Sequence, residues 1–349
     1  MSTRDAVMGS LETFGGWAGV LGTLSDGGDL SAEACTAVLV DVLIGDATDA
    51  QVAAFLLGLR LKGETAEELA GLQRGMLAAA TPLLVPDDAI DIVGVGGSTS
   101  RRAHALNVST IAAFVAAGAG AVVCKHGNRK ASSTSGSFDL LDELGVPVEQ
   151  SPDELGAQIA EHGIGFAFAR TFHPAMKRVA GVRAELGIPT VFNTLGPLSN
   201  PGRVTRQVIG VANWELAQPM AEALRETGSV RSLIVHGDGG LDELSTTGRS
   251  KALSLDHGEL TEIEVDATDY GLARVKPEAL TGGDPATNAQ IALRVLSGEA
   301  GAARDIVVLN AAAGLVVSGR ANNLGQGVAE AQHSIDAGDA LAKLDAIRI

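Results

Sequence analysis

The polar residues able to do chemistry are gathered in a few short segments, and the densest run lies between Asp91 and Leu141. In DIVGVGGSTSRR, Gly94, Gly96 and Gly97 follow an apolar stretch. Glycines there let the chain turn tightly and let its N–H groups approach an anion with no side chain between them. The same GxGG run serves equally as a structural turn, and it carries neither the GxGxxG spacing of a dinucleotide site nor the GKS or GKT ending of a P-loop. Asn107-Val108-Ser109-Thr110 opens a helical run, where free N–H groups and the helix dipole favour phosphate. A plain N-cap explains one hydroxyl there, but not an asparagine and a second hydroxyl. The tripeptide Asn107-Val108-Ser109 also fits an N-glycosylation acceptor, a chance match if the chain is not secreted.

Lys125-His126-Gly127-Asn128-Arg129 follows the apolar AVVC, and ligands of open sheets lie beyond the carboxyl ends of strands. Lys125 can supply charge to a pyrophosphate, and Asn128 offers both a donor and an acceptor. The alternative is a solvated basic turn. The loop SSTSGSFD, residues 132–139 with Ser133 and Ser137, can wrap phosphate oxygens with hydroxyls and backbone donors, or be a polar linker.

Further along, SLIVHGDGGLDELS sets the adjacent acids Asp242 and Glu243 after a strand and a glycine turn. Magnesium is often bridged by one or two carboxylates to substrate phosphates, although an isolated acidic pair is commonly surface charge. His236 fits a structural role, with no zinc triad near it. FHPAMKRVAGVRAELG places His173, Lys177, Arg178 and Arg183 on a helical pattern, and one arginine there could grip a carboxylate with a forked pair of hydrogen bonds. FNTLGPLSNP, residues 192–201, reads as a strand ending in a rigid turn, either scaffold or pocket wall.

The elements that position these residues follow from the apolar pattern. Residues 1 to about 27 have weak periodicity and end in SDGGD. Helical runs then follow, one opened by Ser31, one by Asp49 and a third after Gly63, which makes a small helical layer. From AIDIVGVGG onward strands, glycine loops and helices alternate, with PTVFNTLGP, SLIVHGDGG and DIVVLNAAAGLVVSG read as later strands and WELAQPMAEALRETG as a helix. The expected division is 1–86, mainly helical, and 87–349, an α/β unit, with helices around 150–185 packing back on the first.

Composition narrows the classes of partner. A net charge of −16 and 3% aromatic residues oppose general binding to nucleic acid. Ile111 to Cys124, the strongest apolar stretch, is too short for the roughly 20 residues of a membrane span. Cys35 and Cys124 form no ligand cluster or disulfide framework, and the start lacks a secretory pattern, so the cytoplasm is the expected location.

Taken together, DIVGVGG, NVST, KHGNRKASSTSGSFDLL, FHPAMK, VRAELG, FNTLGPLSNP and HGDGGLDELS resemble the signature segments of the anthranilate phosphoribosyltransferase family, and LLGLRLKGETAEELAG resembles its helical domain. The resemblance spans the chain from about residue 28 to the end. It implies an α/β fold of the nucleoside phosphorylase or class III phosphoribosyltransferase type, with a small α-helical N-terminal domain and a larger domain built on a central mixed sheet. It also implies 5-phosphoribosyl 1-pyrophosphate with Mg²⁺ as donor, anthranilate as acceptor and a homodimer. By the same resemblance Gly94, Gly96 and Gly97 lie around the pyrophosphate, while Asn107, Ser109, Thr110, Lys125, Ser133 and Ser137 contact the donor or its metal, with His126 and Gly127 in the same stretch. Asp242 and Glu243, with Ser109, would hold magnesium. Asn128, His173 and Arg183 would line the acceptor path, with Lys125 and Arg183 the catalytic pair.

The sequence departs from that family in one loop. The family continues its glycines as GTGGD, whereas GVGGSTSRRAHALN has Ser98 for the acid and a longer spacer with Arg101, Arg102 and His104. Arg170 also stands where an uncharged residue is usual. Another aromatic acid as acceptor, a nucleoside phosphorylase, and a non-catalytic metabolite-binding protein are the alternatives these departures leave.

Overall fold

The computed structural model describes residues 11–96, 106–130 and 134–349. Its first layer is helical. Helices Gly16–Ser25, Ala32–Ile44, Asp49–Lys62 and Ala66–Ala78 follow one another. Ser31, Thr48 and Thr65 each accept a hydrogen bond from a backbone N–H of the first turn, and the latter two close full capping boxes with Gln51 and Glu68. Asp49 is therefore the first helical residue and Thr48 the cap. Gly71 lets two helices cross closely, since a Cβ there would lie 2.2 Å from the Ala32 carbonyl oxygen.

The rest is built on one seven-stranded sheet. Its strands are β1 (Ile90–Gly94), β2 (Val123–Gly127), β3 (Ile164–Phe168), β4 (Arg206–Gly210), β5 (Arg231–His236), β6 (Ser250–Asp256) and β7 (Glu259–Val265), in the order β3-β2-β1-β4-β5-β6-β7. The first five are parallel and the last two antiparallel, so the sheet is mixed. β6 and β7 form a hairpin turned by His257 (φ 48) and Gly258 (φ 89), a left-handed pair that matches strand twist.

Helices cover both faces. Val108–Gly118, Ala302–Ser318 and Leu324–Asp336 share one core with Ile90, Ile92 and Val123. On the other face Ala217–Glu226 and Val191–Leu198 join Ile209, Ile234 and Leu253 to the N-terminal helices in a second core. Val179 and Val182 of helix Lys177–Leu186 belong to that core and pack on Ala32–Ile44 and Asp49–Lys62, whereas Pro152–His162 packs on β3.

Two segments expected to be strands are helices. DIVVLNAAAGLVVSG lies in Ala302–Ser318, almost wholly buried. A helix buried on all sides shows no polar stripe, so its apolar run imitates a core strand, and only its length tells them apart. Residues 191–198 are also helical, with Asn193 Oδ1 accepting from Thr190 N at 3.1 Å and Pro197 in the final turn.

Candidate active site

Successive strands run outward from β1 on one side through β2 and β3, and on the other through β4 and β5. The carboxyl ends of β1 and β4 therefore flank the place where the winding reverses, where open α/β sheets bind ligands. Gly94 and Gly210 are register partners at those ends, and Asp242 lies directly over them. A Cβ on Gly210 would come within 1.6 Å of the Asp242 carbonyl oxygen, and one on Gly94 within 2.5 Å of Oδ2. Only glycine fits at 210, where the clash is with backbone, and a side chain at 94 would push the Asp242 carboxylate aside. Gly96, at φ 69, donates its N–H to Asp242 Oδ2 at 2.9 Å. The glycine turn and the acidic pair, far apart in sequence, thus form one site. Asn310 braces it from below, accepting from Leu244 N and donating to Leu244 O, each at 2.9 Å.

Lys125 and His126 lie within β2, not beyond it, and Lys125 is 2% exposed. That burial rules out a solvated basic turn. Its Nζ donates to the Ile92 carbonyl at 2.5 Å. Burial lowers the lysine pKa, and the charges of Asp91, Glu243 and Asp242 oppose that shift. Asp242 and Glu243 are half-buried and adjacent. Among the described residues there is no group of three or more His, Cys, Asp or Glu placed to cage a metal. Two carboxylates opening on an anion site suit magnesium, which keeps waters and takes phosphate oxygens for its remaining positions.

The helix Val108–Gly118 begins beside this cluster, with Asn107 as its N-cap position and Ser109 half-buried in its first turn. Neither Ser109 nor Thr110 is the cap. Asn107 Oδ1 accepts from Ser135 Oγ at 3.0 Å and from Asn288 Nδ2 at 2.8 Å, so its amide ties the hydroxyl loop to helix Pro285–Leu296. The Thr110 hydroxyl is buried with no partner among the described residues, which suits a ligand oxygen. Asn128 is exposed, and its carbonyl accepts from Ser137 Oγ at 3.1 Å. A Cβ on Gly127 would lie 2.3 Å from Ser137 Oγ and would displace that hydroxyl from the Asn128 carbonyl. Helix Ser137–Glu143 starts at Ser137 itself, and Asp139 closes its N-terminus by accepting from Gly136 N at 2.9 Å and Lys130 N at 2.7 Å. Arg129 pairs with Asp142 and lies over the Phe168 ring, as does the exposed Arg170. Gly97, Ser98, Arg101, Arg102, His104 and Ser133 lie outside the described residues.

A second cluster forms beside β2 and β3. His126 and His173 are both buried, with ring centroids 5.1 Å apart. His126 Nδ1 lies 3.1 Å from Gly196 O and His173 Nε2 2.9 Å from Ser199 O. Each nitrogen facing a carbonyl carries a proton, and burial keeps both rings neutral, which fixes the tautomers as His126 Nδ1–H and His173 Nε2–H. Burial first, then the neighbouring His173, lowers His126 to a pKa of about 3. Burial alone takes His173 to about 4. Arg183 is half-buried, its Nη2 3.4 Å from Asn193 Oδ1 and its guanidinium 5.4 Å above the Phe192 ring. It is taken up by that helix and not by the histidines.

Stability should track these groups. The lowered histidines stabilise the fold above their ordinary 6.5, and that contribution is lost as pH falls through about 4 and about 3. Asp91, pushed up to about 6 by burial, acts oppositely: its contribution is full below 3.8 and lost as pH rises through about 6. Near pH 5 the two histidine protons outweigh the one on Asp91, so these groups lower stability by roughly 1.4 kcal/mol per unit of acidification. Urea unfolding between pH 4.5 and 6 measures this, and Asp91→Asn should steepen the slope to roughly 2.7 kcal/mol per unit. An unchanged slope would contradict the assignment.

Known proteins share this arrangement. Residues 86–341 match the family model described as "Glycosyl transferase family, a/b domain", and residues 19–80 match "Glycosyl transferase family, helical bundle domain". The anthranilate phosphoribosyltransferase of Rhodopseudomonas palustris (strain BisA53) is 46% identical over 325 residues, covering 93% of this chain and 95% of that protein. The chain belongs to the anthranilate phosphoribosyltransferase family. The crystal structure of the Thermus thermophilus anthranilate phosphoribosyltransferase superposes with a TM-score of 0.88 at 43% identity, covering 93% of this chain and 97% of that one. The Saccharomyces cerevisiae enzyme in complex with PRPP and Mg gives 0.85 at 28% identity, covering 100% and 98%.

Within this member of the anthranilate phosphoribosyltransferase family, sequence reasoning missed several residues that build the site. Asp91, Asn193, Asn200, Asn288 and Asn310 all brace it through hydrogen bonds. Asp91 carried a readable signal, a charge in the middle of the apolar strand AIDIVG. Asn193 and Asn200 lie in the FNTLGPLSNP segment already singled out, whereas Asn288 and Asn310 carried no signal, because their partners Asn107 and Leu244 are distant in sequence.

Proposed function

We propose that the protein transfers the phosphoribosyl group of 5-phosphoribosyl 1-pyrophosphate to the amine of anthranilate, releasing pyrophosphate, as a step of tryptophan biosynthesis. The observation that carries this reading is the meeting of Gly94, Gly96, Lys125 and the Asp242–Glu243 pair at the switch point of the sheet. In the reaction the arylamine nitrogen forms a bond to the anomeric carbon, the carbon–oxygen bond to pyrophosphate breaks, and the nitrogen then sheds a proton. Negative charge gathers on the departing pyrophosphate, where the charge of Lys125 opposes it, while the Gly96 N–H, given to Asp242, holds that carboxylate in place. The N-terminus of helix Val108–Gly118, with Ser109 and Thr110, and the loop with Ser133 and Ser137 would hold donor oxygens. Asp242 and Glu243, with Ser109, would hold magnesium, which supplies a positive charge to the phosphates.

Arg183 would receive the acceptor carboxylate, and Asn128 and His173 would line its path. The neutral amine is already a nucleophile, so orientation contributes more than a strong base. The units 1–86 and 87–349 would act as a helical base and a donor-binding body. A homodimer through the helical layer is the proposed assembly: Leu57 and Leu61, one turn apart on Asp49–Lys62, are 41% and 79% exposed. No helix among the described residues is long and apolar enough to cross a membrane, and a cytoplasmic location is the reading adopted.

The test is pyrophosphate release from phosphoribosyl pyrophosphate and Mg²⁺ with anthranilate, para-aminobenzoate and salicylate, beside a phosphorolysis assay on nucleosides. Turnover should require anthranilate and the metal. Turnover confined to another acid, or to nucleoside and phosphate, would overturn the reading.

A further inference from the structure

Asp91 is fully buried near the start of β1, where an apolar side chain would pack at lower cost. Its carboxylate accepts from His126 N at 3.2 Å and from Asn200 Nδ2 at 2.9 Å. Asn200 is 3% exposed, and each of its polar atoms is used. Nδ2 also donates to the Cys124 carbonyl at 2.8 Å, and Oδ1 accepts from Gly202 N at 2.9 Å and from the Cys124 thiol at 3.7 Å. One side chain thus joins β1, β2 and the turn that ends helix Val191–Leu198.

That helix and turn aim the residues of the acceptor side. Gly196 O holds His126, Ser199 O holds His173 and Asn193 Oδ1 holds Arg183. On the donor side, the residue after Asp91 gives its carbonyl to Lys125 Nζ. We infer that Asp91 and Asn200 form a positioning latch, which fixes the acceptor wall, residues 191–200, in register with the strands that carry the donor site. The latch accounts for a buried charge that the fold alone has no use for. The inference rests on the reading that Arg183 and His173 serve the acceptor.

The experiment compares Asp91→Asn, Asn200→Ser and the exchanged pair Asp91→Asn with Asn200→Asp in the full chain. Each single change is expected to raise KM for the acceptor about tenfold, and Asn200→Ser, which leaves the Asp91 charge beside Lys125 in place, should leave KM for phosphoribosyl pyrophosphate within about twofold. Amide hydrogen exchange should quicken in residues 191–200. The exchanged pair should recover at least part of the acceptor KM, since an amide at position 91 can donate to a carboxylate at 200. Asn200→Ser keeps the turn and gives the same readouts should Asp91→Asn fail to fold. An equal rise in both KM values in Asn200→Ser, or unchanged exchange in 191–200, would overturn the latch. If the wild-type protein releases no pyrophosphate with anthranilate, the proposed reaction falls, and the exchange measurement by itself decides the latch.

Discussion

Asp242→Asn combined with Glu243→Gln is expected to lower magnesium-dependent turnover by about three orders of magnitude, the scale of losing a transition-state charge stabiliser. Both substitutions keep the shape of the side chain. The position-242 amide oxygen can still accept from Gly96 N, and Asn310 still grips the neighbouring backbone at Leu244. The strand ends should therefore keep their arrangement, and the fold should persist. What goes is the negative charge that binds a divalent cation and that opposes the lowering of the Lys125 pKa by burial. Both losses act on the leaving pyrophosphate. Turnover measured against magnesium concentration is the check, with urea unfolding of the variant as control. An undiminished metal response in a folded variant would remove both acids from the metal site.

Much of this site was legible because its residues advertise themselves. A glycine run after an apolar strand, a lysine following an apolar run and an acidic pair after a glycine turn are each local patterns, and the sheet brings all of them to the carboxyl side of its central strands. The assignment of residues 191–198 failed for the opposite reason. Gly-Pro and Asn-Pro read as turn signals, and eight residues are too few to display a helical period. The long helix Ala302–Ser318 failed because uniform burial erases amphipathicity. The braces were out of reach in another way. Asn288 meets Asn107 across 181 residues, and Asn310 meets Leu244 across 66, so nothing local marks either asparagine as more than a polar residue on a helix. What the sequence reveals is the chemistry of single segments; which segments meet is decided by the order of strands.

Arg183→Ala is expected to raise KM for anthranilate by about 30- to 100-fold, the loss of roughly 2–3 kcal/mol for a charge-assisted forked contact. KM for phosphoribosyl pyrophosphate should stay within about twofold. The expectation rests on how the guanidinium is kept. It lies over Phe192, shares a long 3.4 Å bond with Asn193, and no acid among the described residues forms an ion pair with it. Burial lowers its pKa from 12.5, yet an arginine stays charged at neutral pH. A half-buried cation held by a ring and one amide lacks a counter-charge that an acceptor carboxylate would provide. Arg183→Lys should recover little, because a lysine offers a single point charge and cannot stack flat on Phe192 while presenting two parallel donors. Selectivity gives the sharper test. Wild type should prefer anthranilate to aniline by the same factor that the alanine variant loses, whereas a purely structural role would weaken use of both amines alike. Equal loss with the two amines, or an unchanged acceptor KM, would take the carboxylate away from Arg183.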